Sequence, residues 1–199
     1  LEKTADATYR IGPAIGALVT GDTGSTDLLR QLAWPHLHQL ADELGEHAAL
    51  AVADAGDVLY VAQETSPSAV DPGDWTDTRH PPHGTAFGHV LMTEWSPKRL
   101  ERYLRGPLPA HTEATVIDAE TLRHRLAQIE EQGVAWTVDE FAEGITGVAA
   151  PVLDSNENVV AAVGVFAPTY RFPGDVPRLE IDRLVRRTAV DLSGNFQGA

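Results

Sequence analysis

Thr146-Gly147-Val148-Ala149-Ala150-Pro151-Val152-Leu153, then Asp154-Ser155-Asn156-Glu157-Asn158, then Val159-Val160-Ala161-Ala162-Val163-Gly164-Val165-Phe166 is the stretch that decides the fold. Two apolar runs flank a short polar, turn-forming segment, which is the pattern of a β-hairpin. A half-exposed strand alternates apolar and polar side chains. These two strands are apolar at nearly every position, so both of their faces need cover. They are expected at the centre of a sheet with other elements packed on each side.

Working outward, 134–138 reads as a further strand. Before it comes a helix that Asp118 caps and Gly133 ends, with Leu122, Leu126 and Ile129 on one face. Ser96-Pro97 opens another helix, which carries Leu100, Tyr103 and Leu104. Residues 85–92 form a short apolar helix entered through Pro81-Pro82-His83-Gly84. Residues 65–83 hold four prolines and no apolar period, so they read as a long loop of the kind that often carries function. Strands at 48–53 and 58–64 flank Asp54-Ala55-Gly56-Asp57 as a first hairpin. A helix over about 27–44 places Leu28, Leu29, Leu32, Leu37, Leu40, Ala41 and Leu44 at helical spacing. Ser25, Thr26 or Asp27 suits its cap and Gly45 its end, and Pro35 predicts a kink. Tyr9-Arg10-Ile11-Gly12-Pro13 reads as a short strand ending in a turn, and 177–196 as a last helix. Hairpins with neighbouring strands imply an antiparallel sheet and an α+β domain.

The chain has 199 residues, 43% hydrophobic and 22% charged, which suits one generous domain with its own core. No apolar run approaches the roughly 20 residues a membrane helix needs. The start, Leu1-Glu2-Lys3-Thr4, has no signal-peptide core and no initiator Met, so a preceding segment is expected to have been removed. With no cysteine there is neither a disulfide nor a thiolate metal site, which fits a cytoplasmic protein. Acidic residues outnumber basic ones 29 to 15, for a net charge of −14. Such a segment repels nucleic acid, which binds through phosphate neutralisation by Lys and Arg.

Five blocks in order resemble the effector domain of the IclR family of bacterial transcription regulators. They are Tyr9-Arg10-Ile11-Gly12-Pro13; Ala33-Trp34-Pro35-His36-Leu37 running on to Glu46; Gly56-Asp57-Val58-Leu59-Tyr60-Val61; His83-Gly84-Thr85-Ala86-Phe87-Gly88; and Glu143-Gly144-Ile145-Thr146-Gly147-Val148-Ala149-Ala150-Pro151-Val152. The resemblance implies a GAF/PAS-like fold: a curved antiparallel sheet of about six strands, helices on both sides and a small-molecule pocket on one face. It further implies a homodimer or homotetramer, and DNA contact only through an N-terminal winged helix that this chain lacks. Residues 1–12 are then a linker or remnant of that domain, and 13–199 the effector-binding domain.

Residues 85–87 open a helix, whose first amides have no internal acceptor and make a seat for a carboxylate. The plain alternative is an ordinary helix start capped by Thr85. The resemblance favours the seat, because family effectors are typically small organic acids. It also carries pocket positions onto Thr137, Gly147, Gly164 and Phe166, where relatives that bind small polar acids often have Asp, Cys, Ser and Ser. Two glycines and a phenylalanine predict a roomier, more apolar pocket, for an aromatic or medium-chain acid. Phe166 serves equally well as core. Trp75, in the long loop, is the candidate lid; Trp34 and Trp136 read as core or interface. No metal and no cofactor is expected, and the chain reads as a binding module rather than an enzyme. The competing possibilities are a hydrolase using His80, His83 or His89 with Asp139, Glu140 and Glu143, and a purely structural oligomerisation domain.

Overall fold

The computed structural model describes residues 2–3, 9–10, 23–66 and 72–196. β1 (Glu2–Lys3) pairs antiparallel with β2 (Tyr9–Arg10). The turn expected at 11–13 and the domain start at 13 lie outside the described residues. α1 (Thr23–Leu44), β3 (His47–Asp54), β4 (Asp57–Glu64) and β5 (Arg79–His80) follow. Next come α2 (Ala86–Thr93), α3 (Pro97–Leu104), α4 (Ala119–Gln132), β6 (Ala135–Val138), β7 (Ile145–Leu153), β8 (Val159–Pro168) and α5 (Arg178–Phe196).

Strands β3–β8 form one antiparallel sheet in the order β5-β4-β3-β8-β7-β6, curled into a half-barrel. Both strands of the apolar hairpin β7–β8 are interior to it, β8 at the centre and β7 between β8 and the edge strand β6, as their composition requires. One face packs on α1 and α5 through Leu37, Leu40, Val148, Val163, Val165, Ile181 and Val185. The other packs on α2 and α4 through Tyr60, Phe87, Val90, Met92, Leu126, Ala149 and Phe166. Helices on both faces make this an α+β domain. Pro151, in a strand otherwise central, lies beyond the end of β6, whose ladder with β7 stops at Ala149. A proline is tolerated there because β7 has become an edge.

The expected caps appear. Thr85, Ser96 and Asp118 accept from the amides of Gly88, Arg99 and Thr121, and Gly133 ends α4 at φ +68°. Two expectations need correction. α1 starts at Thr23, so Ser25, Thr26 and Asp27 sit within it and not at its cap; Asp27 instead pairs with Arg30 one turn on. The segment 65–83 is not loop throughout, because Arg79 and His80 extend the sheet against Leu59 and Val58. Two residues are too few to show a strand's alternation.

A β-bulge in β4 decides which residues reach the α2 face. Leu50 pairs with Ala62 but Ala51 with Tyr60, so Val61 is extra. Its carbonyl accepts from Arg30 Nε of α1 at 2.7 Å. The extra residue reverses the alternation, placing Tyr60 and Gln63, three apart, on the same face of the sheet.

Gly164 also departs from expectation. A Cβ there would lie 1.9 Å from the Val148 carbonyl oxygen and 2.7 Å from Ala149 Cα, so its space belongs to β7 and not to a pocket. A Cβ on Gly147 would meet Thr137 Oγ1 at 3.2 Å and Ala86 Cβ at 3.6 Å, tight but open to adjustment. Gly164→Ala is therefore expected to cost about 3 kcal/mol or more, and Gly147→Ala about 1 kcal/mol or less, by the scale of core overpacking. Urea unfolding midpoints would check this; equal shifts for the two variants would contradict the packing described.

Candidate functional site

Four strands line up one row of side chains on the α2 face. Thr137 pairs with Gly147, Gly147 with Phe166, and Phe166 with His47. Because Gly147 lacks a side chain, the row has a gap between Thr137 and Phe166, and the first turn of α2 descends toward it. Thr85 is extended (φ −126°, ψ 148°), and its hydroxyl accepts from Gly88 N at 3.0 Å. His89 N bonds Thr85 O at 2.9 Å. The amides of Ala86 and Phe87 are then the first-turn donors with no acceptor inside the helix.

Between this helix end and the sheet lies a cavity. Seven of the eight residues expected to form a pocket line it: Thr85, Ala86, Phe87, Thr137, Gly147, Phe166 and Trp75. Gly164 does not. Tyr60, Phe141 and Ile145 line it as well, and the sequence pattern did not mark them. Phe141 sits on the irregular β6–β7 connection, which has no period to read, Ile145 is the first residue of β7, where alternation has barely begun, and Tyr60 is displaced by the bulge.

The cavity is nearly full, with about 10 Å³ free, room for about one water. Trp75 fills it. Its indole stacks on Phe166 with ring centres 4.2 Å apart and planes 11° apart. Tyr60 and Phe141 meet it edge-on at 5.2 and 5.5 Å, and His80 lies tilted against it at 4.7 Å. The Trp75 segment is clamped from β4: Gln63 accepts from Trp75 N at 2.9 Å and donates to Gly73 O at 3.0 Å. Trp34 and Trp136 lie elsewhere. Trp34 is 55% exposed and stacks on His38, so it is not core. Trp136 packs on Phe172 on the opposite face of the sheet and donates to Asp182.

The histidines and acids considered for hydrolysis are held in structural bonds. His83 Nε2 donates to Pro109 O at 3.0 Å, so its Nδ1 accepts from the Tyr103 hydroxyl at 2.7 Å. His89 Nε2 donates to His83 O at 2.8 Å. His80 Nε2 bonds Thr78 Oγ1 at 2.8 Å. Glu140 is gripped by Arg125 Nη1 at 2.6 and 2.8 Å; burial pushes its carboxyl up and Arg125 pulls it back. Asp139 accepts from Gly144 N and Thr169 Oγ1, both at 2.8 Å. Glu143 is exposed. Among the described residues, no three His, Asp or Glu side chains come together as metal ligands.

An antiparallel sheet with helices on both faces and an aromatic-lined cavity at a helix N-terminus defines an α+β domain built around a pocket on one face of the sheet. The chain belongs to the family described as bacterial transcriptional regulator IclR C-terminal, whose model matches residues 23–194. It is 29% identical over 178 residues to the Pca regulon regulatory protein of Pseudomonas putida, covering 88% of this chain and 60% of that protein. It is 30% identical over 194 residues to the glycerol operon regulatory protein of Streptomyces griseus, covering 96% of this chain and 75% of that one. The chain thus spans about three fifths of the length of the first of these relatives. Among solved structures, an IclR homolog from Microbacterium hydrocarbonoxydans complexed with 4-hydroxybenzoate superposes with TM-score 0.78 at 27% identity, over 100% of this chain and 80% of that one. The inducer-binding domain of a PobR double mutant from Acinetobacter, in complex with 3-hydroxybenzoic acid, shares the fold with TM-score 0.73 at 24% identity, over 82% of this chain and 97% of that one.

Burial holds three histidines neutral. It lowers His80 to about 4, with His111 adding to the effect, lowers His89 to about 3, with Arg125 adding, and lowers His83 as well. In the unfolded chain all three titrate near the usual 6.5. Below pH 6.5 the unfolded state therefore takes up protons that the folded state refuses, and stability falls as pH drops. The melting temperature is expected to decline from pH 6.5 to about 4 at constant ionic strength, and His89→Gln to flatten that decline. A profile level across this window would contradict the neutral, buried assignment.

Proposed function

We propose that this chain is the effector-sensing part of an IclR-type regulator, that its cavity takes an organic acid with an aromatic or medium-chain body, and that occupancy alters operator binding by a winged helix N-terminal to it. The observation that carries this is the Trp75–Phe166 stack: the cavity already holds a flat aromatic ring, beside a helix end whose amides suit a carboxylate. The hydroxybenzoate complex of the Microbacterium homolog supports the same ligand class. Thr85, Ala86 and Phe87 hold the anion, Thr137 and Gly147 border it, and Phe166 faces its ring. Such ligands need a few hundred Å³, which the cavity supplies only when Trp75 leaves. Trp75 is thus a competitor for the site, and the ligand shifts the balance by its preference for the open arrangement.

A thermal-shift panel tests the ligand class. Benzoates, phenylacetates or medium-chain acids at about a hundred times their Kd are expected to raise the melting temperature by about 2–4 °C or more. Glyoxylate and pyruvate are expected to do little, and stabilisation by these two alone would refute the pocket assignment. Trp75→Ala is expected to tighten an aromatic acid about tenfold by calorimetry, because the open form no longer has to be drawn from a minor population. Weaker binding would make Trp75 a wall of the site and not its occupant.

We further propose self-association through the side that bears the exposed Trp34, since a two-fold operator calls for a two-fold protein. Light scattering at tens of micromolar is expected to show a dimer or larger, and Trp34→Glu to reduce it.

A further inference from the structure

Tyr60 is enclosed on every side, with no exposed surface. Its ring touches Trp75, His80, Phe87 and Phe166, at centre distances of 5.2, 5.1, 5.1 and 6.3 Å. Phenylalanine would make those contacts equally well. The hydroxyl has no hydrogen-bond partner among the described residues, and a buried donor left unpaired is costly. Tyr60 lines the cavity together with Thr85, Ala86 and Phe87. The Thr85 hydroxyl acts on the phenol, yet no hydrogen bond of ordinary geometry joins the two; Thr85 Oγ1 instead accepts from Gly88 N. His80 Nδ1 is also buried without a partner, but His80 does not line the cavity.

Building on the effector reading above, we infer that Tyr60 is a specificity-determining donor: its hydroxyl hydrogen-bonds the anionic oxygen of the bound acid, completing with the Ala86 and Phe87 amides a three-donor carboxylate seat. The chemistry suits the role. Burial pushes the phenol well above the ordinary tyrosine range, with Thr85 opposing, so it is a neutral O–H donor at any pH the protein meets. A hydrogen bond to a carboxylate is charge-assisted and stronger than one between neutral groups. With the site empty the hydroxyl is unsatisfied; with an acid bound it is paired. The group thus favours the occupied state and selects anions over neutral ligands of the same shape.

Tyr60→Phe tests this with calorimetry and thermal melts on the whole chain, using sodium benzoate, sodium 4-hydroxybenzoate and neutral benzamide as probes. The ligand-free variant is expected to melt at or above the wild-type temperature, because an unpaired buried hydroxyl has been removed. Its affinity for both acids is expected to fall about tenfold or more, with benzamide affected far less. Unchanged affinity for acids that the wild type does bind overturns the role of Tyr60 and leaves the effector reading intact. Loss confined to 4-hydroxybenzoate would place the phenol contact at the ligand's hydroxyl and overturn the carboxylate seat. A lower ligand-free melting temperature with unchanged affinity would make Tyr60 a structural partner of Thr85 and overturn it also. If wild type and variant both ignore every acid, the effector reading falls, and the inference with it.

Discussion

The backbone of Pro82 lies so close to α2 that a Cβ at Gly88 would come within 2.2 Å of its carbonyl oxygen and 2.4 Å of its Cα. The helix side of the cavity follows from that contact. Only a residue without a side chain lets the Pro81–Pro82 turn lie flat on the helix it introduces. With the turn so placed, Thr85 reaches back to cap Gly88, and His89 reaches back to the His83 carbonyl. The start of α2 is thereby fixed against the sheet at the level of Gly147, with Ala86 one van der Waals contact from where a Cβ would be. A helix end held by backbone contact is preorganised: its amide dipoles need no rearrangement to meet an anion.

The opposite rim of the cavity, the β6–β7 connection, is held by polar bonds instead. Thr112 and Thr115 donate to the carbonyls of Asp139 and Glu140, each at 2.6 Å. Arg125 of α4 grips the Glu140 carboxylate. Asp139, at φ +57°, ties the connection to Gly144 and to Thr169 beyond β8. Phe141 therefore stands on an anchored base although it belongs to no regular element. Asp139, Glu140, His83 and His89 thus hold the walls of the pocket in place.

Elements with strong local signals were legible in the sequence. The apolar hairpin, the capped helices α2, α3 and α4, and the αL glycine ending α4 are set by neighbours within a few residues, and pattern reading sees such neighbours. What was not legible depends on partners far along the chain. Gly164 looks like room in one dimension, but β7 fills that room in three. Tyr60 reads as an ordinary strand residue unless the bulge at Val61 is known, and a bulge is a property of two paired strands. The pocket positions came from resemblance and not from periodicity. Trp75 is conspicuous in sequence as a large aromatic in a proline-rich loop; that its ring lies on Phe166 depends on the Gln63 clamp, which again requires the bulge.

Arg30 stands where three of these parts meet. From α1 it takes the carbonyl of the bulged Val61, pairs with Asp27 one turn back, and pairs with Asp77 in the Trp75 segment. Any outward swing of that segment pulls on this guanidinium. An ion pair this exposed is worth about 1 kcal/mol or less, and Arg30 has two other acceptors to fall back on. The tether between segment and helix is consequently soft. Through it alone, a change at the cavity can bias the position of α1 by no more than about fivefold in an equilibrium constant.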